Sequence, residues 1–401
     1  MKRFYFFALA IAMAVSSLYA NADSRRAIWV TRWDFKSAAD IGVIVKNAKR
    51  LNATDILFQV RGNATVFYPS KLEPWAWELS GDDAKTTGKD PGWDPLRTAI
   101  DEAHDAGLKL HAWVNVFPGW RGAAAPPKSA RQLWTTHRSW FMVDHHGSFM
   151  WPTKAFYSFL SPGVPDVQKH TAAVMKEMAQ GYPDLDGIHM DYIRYPGNKE
   201  LGAYRNFSFD TTSVARFKQQ YKRSPRHDSD EWSRFKRDQV TDSLKLIHQE
   251  TKAVNAGIEL SATFFADVNK ATSEKGQDPL LWLNENYVDW AAPMVYQRTA
   301  AKYQESLDTL KTFLGTEWNS RMVPGLLATS ISPDILQAQL KATSDEQFLG
   351  AALFAYSALY KNHQPNIKAE RVRMIWREEK IQELLTKSPA EAKIPAGEDE
   401  S

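Results

Sequence analysis

Short apolar runs alternate with amphipathic helical stripes along most of this 401-residue chain, the pattern required by a parallel sheet wrapped in helices. Strand-like runs fall at Ala27–Trp33, Asp55–Arg61, Leu108–Val116, Gly187–Arg194, Ile258–Phe265, Val288–Tyr296, Met322–Leu327 and Leu349–Ser357. Between them, Ile41, Ile44, Val45, Ala48 and Leu51 recur at three- and four-residue spacing in a segment from Ala38 to Leu51, one face of a helix. Further helical segments run over Asp94–Ala106, stopped by Gly107, and over Pro165–Gln180, Thr212–Tyr221, Glu231–Val254, Tyr303–Leu314, Pro333–Lys341 and Glu370–Leu385. Eight such repeats predict an α/β fold, a (β/α)8 TIM barrel, as a single decorated domain over residues 23–385. The connection from Pro118 to Gly163 is too long for a bare loop and is predicted to fold over the barrel mouth.

The N-terminus has the three parts of a cleavable signal peptide over residues 1–22. Met1-Lys2-Arg3 precedes an apolar run from Phe4 to Val15, and Ala20-Asn21-Ala22 offers a cleavage site before Asp23. A periplasmic or secreted protein is expected, with no later segment able to span a membrane. The chain has no Cys, so an exported product would rest on its core rather than on disulfides. Residues 386–401 are polar and rich in Pro and Glu and read as a disordered tail. Basic and acidic residues are interspersed for a net charge of +3, which leaves no nucleic-acid footprint. Fifteen Trp and fourteen Tyr are the compositional anomaly, and exposed aromatic faces suit the C–H faces of sugar rings.

Strand alternation in Gly187–Arg194 puts Ile188 and Met190 on one face, with His189 and Asp191 on the other. Acids then sort by position. Asp55, Asp186 and Asp289 begin strands and fall at the N-terminal, stabilising face of a barrel, whereas Asp34, Asp191 and Asp267 follow strand ends and fall at the face that carries chemistry. Glycoside hydrolysis needs a carboxylic acid to protonate the leaving oxygen and a carboxylate acting as nucleophile or base. The expected assignment is Asp191 as nucleophile or base, Asp267 as acid and Asp34 in reserve. Inward parity and strand-end positions nominate Gln59, Arg61, His111, Trp113, Asn115, His189, Arg194 and Tyr296 as substrate contacts. The long connection adds Trp120, and one of Trp120, Trp134 and Trp151 is expected to stack on a sugar. Metal-binding spacing is absent, as are a nucleophile elbow and a phosphate-cradling glycine loop, so neither metal nor cofactor is expected.

The strings Arg26-Ala27-Ile28-Trp29-Val30-Thr31-Arg32, Leu57-Phe58-Gln59-Val60-Arg61-Gly62, Phe67-Tyr68-Pro69-Ser70-Lys71-Leu72-Glu73-Pro74-Trp75, Ala103-His104-Asp105-Ala106-Gly107-Leu108-Lys109-Leu110-His111-Ala112-Trp113-Val114-Asn115 and Asp186-Gly187-Ile188-His189-Met190-Asp191-Tyr192 resemble glycosyl-hydrolase-like family 10. The resemblance runs from about Arg25 to Tyr360 and implies a barrel hydrolase of exported bacterial proteins. Some members act on peptidoglycan glycan strands, especially strands stripped of peptides. It also implies that the family's fourth-strand acid is Asp191, its Gln-x-Arg is Gln59 and Arg61, and its third-strand His and Asn are His111 and Asn115. This chain departs from the family's Ser-Pro-Phe-Gly and Pro-Gln-x-Tyr strings with Ser261-Ala262-Thr263-Phe264 and Pro293-Met294-Val295-Tyr296. The expected function is an exported glycoside hydrolase with a polysaccharide substrate, peptidoglycan first. A hydrolase of a secreted biofilm polysaccharide and a barrel that binds glycan without cutting it are the alternatives.

Overall fold

The computed structural model describes residues 24–386, apart from 82–83, 123, 154–155, 198–206 and 227–228. The expected signal peptide and all but the first residue of the expected tail lie outside the described residues. Eight parallel strands close into a barrel: β1 (Arg25–Val30), β2 (Asp55–Arg61), β3 (Lys109–Asn115), β6 (Gly187–Asp191), β7 (Glu259–Phe265), β8 (Trp290–Met294), β9 (Gly325–Leu327) and β10 (Gly350–Phe354), which returns to β1. The expected TIM barrel is the observed fold. Between β3 and β6, the chain adds an antiparallel ribbon of β4 (Pro118–Arg121) and β5 (Tyr157–Phe159).

The helices form where the stripes predict, and local chemistry fixes their starts. Ser37 closes a capping box with Asp40 ahead of the helix Ala38–Arg50, and Asp94 caps the helix Pro95–Asp105 with proline in the first turn. Outward residues such as Ile28, Ile56, Leu110 and Leu260 join these helices in one large core. Ala27, Trp29, Leu57, Trp113, Trp290 and Ala352 fill the barrel itself.

The barrel interior is layered because residues two apart on a strand share a face about 7 Å apart in depth. At the base, His111 Nε2 lies 2.9 Å from Asp55 Oδ1, and Arg25 donates to the same oxygen at 2.7 Å. Burial alone would raise the Asp55 pKa; the His111 hydrogen bond and charge, with Arg25, outweigh it and hold the carboxyl well below its usual range. A Cβ on Gly187 would sit 2.2 Å from His111 Nδ1, so glycine makes room for the ring. One layer higher, His189 stacks on Trp290 at 5.3 Å and donates to or accepts from Ser261 Oγ through Nδ1 at 2.9 Å. The top layer is the site.

Candidate active site

A cleft of about 960 Å³ opens at the C-terminal ends of the strands. Asp191, the last residue of β6, lies buried in its lining with Gln59, Trp113, Asn115, Arg194 and Tyr296. Thr263 Oγ1 and the Tyr192 backbone N–H each donate to Asp191 Oδ1 at 2.7 Å. Tyr192 makes its bond from a left-handed backbone, φ +51°, a conformation non-glycine residues adopt at a cost and one often found at functional sites. The buried Trp113 indole N–H lies near the same carboxylate and favours its charged form. Burial pushes the Asp191 carboxyl above its ordinary pKa; Thr263, the Arg194 charge, Tyr192 and Trp113 oppose that rise without cancelling it. Tyr296 is raised too, by burial and then by the Asp191 charge, so its hydroxyl stays protonated as a donor.

Gln59 and Arg194 are tied into this floor. Gln59 Oε1 accepts from Arg32 N at 3.1 Å, while the Arg194 guanidinium lies over the Tyr192 and Phe265 rings at 4.5 and 5.0 Å. Asn115 Nδ2 donates to the Gly62 carbonyl at 3.1 Å, leaving its buried Oδ1 unpaired.

Several residues expected here lie elsewhere, each for a physical reason. Asp34 is outside the cleft lining: β1 ends at Val30, and the Asp34 carboxylate closes the turn by accepting from Thr31 N and Oγ1 at 2.7 and 2.8 Å. Asp267 reaches the rim but is exposed and engaged. It caps the helix Val268–Ser273 through Lys270 N and pairs with Lys270 Nζ at 2.7 Å, and the Lys270 hydrogen bond holds its pKa below the usual value. A lowered pKa is wrong for the expected proton donor.

Arg61 points out of the barrel. The β2–β3 register slips between Gln59 and Arg61, so Gln59 pairs with inward Trp113 but Arg61 pairs with outward Val114. There its guanidinium forms a buried fork with Glu73 at 2.6 and 2.7 Å. His111 and His189 keep inward parity but sit one or two layers below the cleft. Burial, with the His111 charge second, lowers the His189 pKa to about 3, so the ring is neutral packing rather than a substrate contact. Trp120 is fully buried, its indole donating to the Ala124 carbonyl at 3.1 Å. Trp134 is buried and Trp151 is 63% exposed, and neither lines this cleft.

The rim instead holds residues that were not singled out: Trp33, Tyr157, Tyr192, Glu305 and Phe354 line the cleft. Trp33 lies three residues past the end of β1, and the strand-end rule that selected Asp34 applies equally to it. Tyr157 depends on the β4–β5 pairing, which has no repeat signal in the sequence. Among the described residues, no three His, Asp or Glu side chains gather as a metal site would require, and no helix is long and apolar enough to cross a membrane.

The comparisons agree with this architecture. The chain is 26% identical over 288 residues to the glycosyl hydrolase DigH of Escherichia coli K12, a match covering 64% of this chain and 58% of the relative. The chain therefore spans a little over half the length of that curated relative. The PgaB (BpsB) glycoside hydrolase domain of Bordetella bronchiseptica superposes with a TM-score of 0.57 at 13% identity, covering 87% of this chain and 98% of that one. The catalytic domain of β-amylase from Paenibacillus polymyxa gives 0.61 at 12% identity, covering 89% and 99%. At such identities these structures speak for the fold alone. The model of the glycosyl hydrolase-like 10 family matches residues 24–339, most of the chain, and the protein belongs to that family.

Proposed function

We propose that this protein is an exported glycoside hydrolase that cuts an amino-sugar polysaccharide, with peptidoglycan glycan strands as the first candidate. The observation that carries the reading is the buried Asp191 carboxyl with a raised pKa on the floor of an aromatic-lined cleft. A raised carboxyl suits protonation of a leaving glycosidic oxygen, so Asp191 is assigned as the acid, reversing the order of roles expected from sequence. The second carboxylate is assigned to Glu305, which lines the rim and has no ion-pair partner among the described residues. In this assignment Glu305 takes a proton from the attacking water or attacks the anomeric carbon itself, while Tyr296 and Asn115 orient the sugar.

Incubation with purified sacculi and with peptide-stripped glycan strands tests the reading. New reducing ends are expected; retention on the polymer without release would mean a binding barrel, and anhydro ends would mean a lyase. The assignment of roles has its own test in steady-state kinetics. Glu305→Gln should lower kcat by about 10²–10⁴-fold, the usual weight of a proton-transfer group. Asp267→Asn should stay within about tenfold of the parent, because Asn caps the helix as well as Asp and the exposed Lys270 pair that is lost is worth only about 0–1 kcal/mol. The reverse ranking would return the second carboxylate to Asp267.

A further inference from the structure

The cleft lip between the end of β1 and the β4–β5 ribbon carries more positive charge than it neutralises. Trp33 is 48% exposed there and is braced by Trp77, ring centroids 5.7 Å apart. Two guanidiniums flank its indole, Arg32 at 4.7 Å and Arg121 at 5.6 Å from the ring centroid, and each also lies 5.9 Å from the Tyr157 ring. Arg32 is buried and has an acid partner: Nε donates to Glu78 at 2.9 Å and a terminal nitrogen to the Tyr157 hydroxyl at 3.1 Å. Its place depends on Gly62, where a Cβ would stand 2.9 Å from the guanidinium carbon. Arg121 differs. It is half-buried and pairs with no carboxylate among the described residues.

Two guanidiniums, one of them paired with Glu78, therefore flank an exposed indole on the wall of the cleft, with Arg121 just behind the lining. Surface packing is the bland account of an arginine beside a tryptophan, but packing alone does not require the cation to lack an acid partner at the edge of a cleft. A ligand with an apolar ring face and a carboxylate would satisfy both features, the ring against the indole and the carboxylate in the planar guanidinium fork. We propose that this lip is a subsite for a carboxylate-bearing sugar residue, with Trp33 as its platform and Arg121 as the group that reads the carboxylate.

The proposal rests on the glycosidase reading above, and a binding measurement separates the two. Calorimetry would use the intact chain carrying Asp191→Asn, so that ligand is not consumed, with a peptide-free amino-sugar chain bearing free carboxyl groups and the same chain after methyl esterification. The free-carboxyl chain should bind about tenfold more tightly, a preference that shrinks at high salt. Adding Arg121→Gln should abolish the preference without changing affinity for the ester, and Trp33→Ala should weaken both ligands with little change in Tm. Persistence of the preference in Arg121→Gln would overturn the assignment, as would equal loss for both ligands. Equal binding of the two chains by the starting protein would remove the carboxylate subsite alone; binding of neither would remove the glycosidase reading and the subsite with it.

Discussion

Asp191 shows how one side chain acquires a role from its surroundings. Its carboxyl titrates above the ordinary value in the fold and near about 4 in the unfolded chain, so folding favours the protonated form. That contribution to stability is complete below the unfolded value and is lost as pH rises through the folded one. Above that folded value the protein carries a poorly solvated charge. Asp191→Asn keeps an acceptor for Thr263 and Tyr192 while removing that charge, so it should raise Tm by about 1–3 °C at pH above the folded value, give no gain in acid, and cut kcat by at least about 10²-fold. A lower Tm across the alkaline limb with retained activity would contradict the acid assignment. The inward direction of Asp191 was legible in strand alternation, because β6 is regular to its end. Its pKa was not, since that depends on Thr263 from β7, Trp113 from β3 and the left-handed turn at Tyr192, groups that only the closed barrel brings together.

At the level of elements, parity succeeds along regular ladders and fails where a ladder slips or stops. Gln59 and Trp113 lie on the cleft side of their strands, whereas one register shift two residues later turns Arg61 outward to Glu73. Asp34 and Asp267 fail at the other kind of boundary. Each lies beyond its strand, where the carboxylate satisfies backbone N–H groups in a turn or a helix cap. The β4–β5 ribbon shows the same limit on a larger scale: tryptophan content marked the segment as structured but could not say which rings face inward. Trp120, at the heart of that ribbon, should cost about 3–5 kcal/mol of stability when replaced by Ala, with no selective loss of glycan affinity. Chemical denaturation paired with a polymer-binding assay measures both quantities, and a weakened affinity at unchanged stability would put Trp120 back in the cleft.

Across the whole molecule, the eightfold alternation of strand and helix was enough to read the barrel, because each repeat carries its own apolar periodicity. What it could not show is how many charges the barrel buries. Besides Asp55 at the base, Glu73 is wholly enclosed: burial would raise its pKa, but the Arg61 charge and then the His170 hydrogen bond bring it down to about 2. A lowered carboxyl contributes stability above its unfolded value, about 4.3, and loses that contribution as pH falls through the folded value. Circular dichroism should therefore show the native state holding through pH about 4 and failing toward 2. Glu73→Gln should flatten that acid limb while costing about 3–5 kcal/mol at neutral pH, because Arg61 is left buried without its partner. The slight exposure that Asp191 keeps at the cleft floor has a different consequence, for ligand binding itself. A sugar seated over that carboxyl would strip away its remaining water and lift its pKa further, so the incoming chain would bring a proton with it from the buffer. Heats of binding measured in buffers of different ionisation enthalpy should diverge on that account, reporting up to one proton taken up per site; in Asp191→Asn the heats should become independent of buffer.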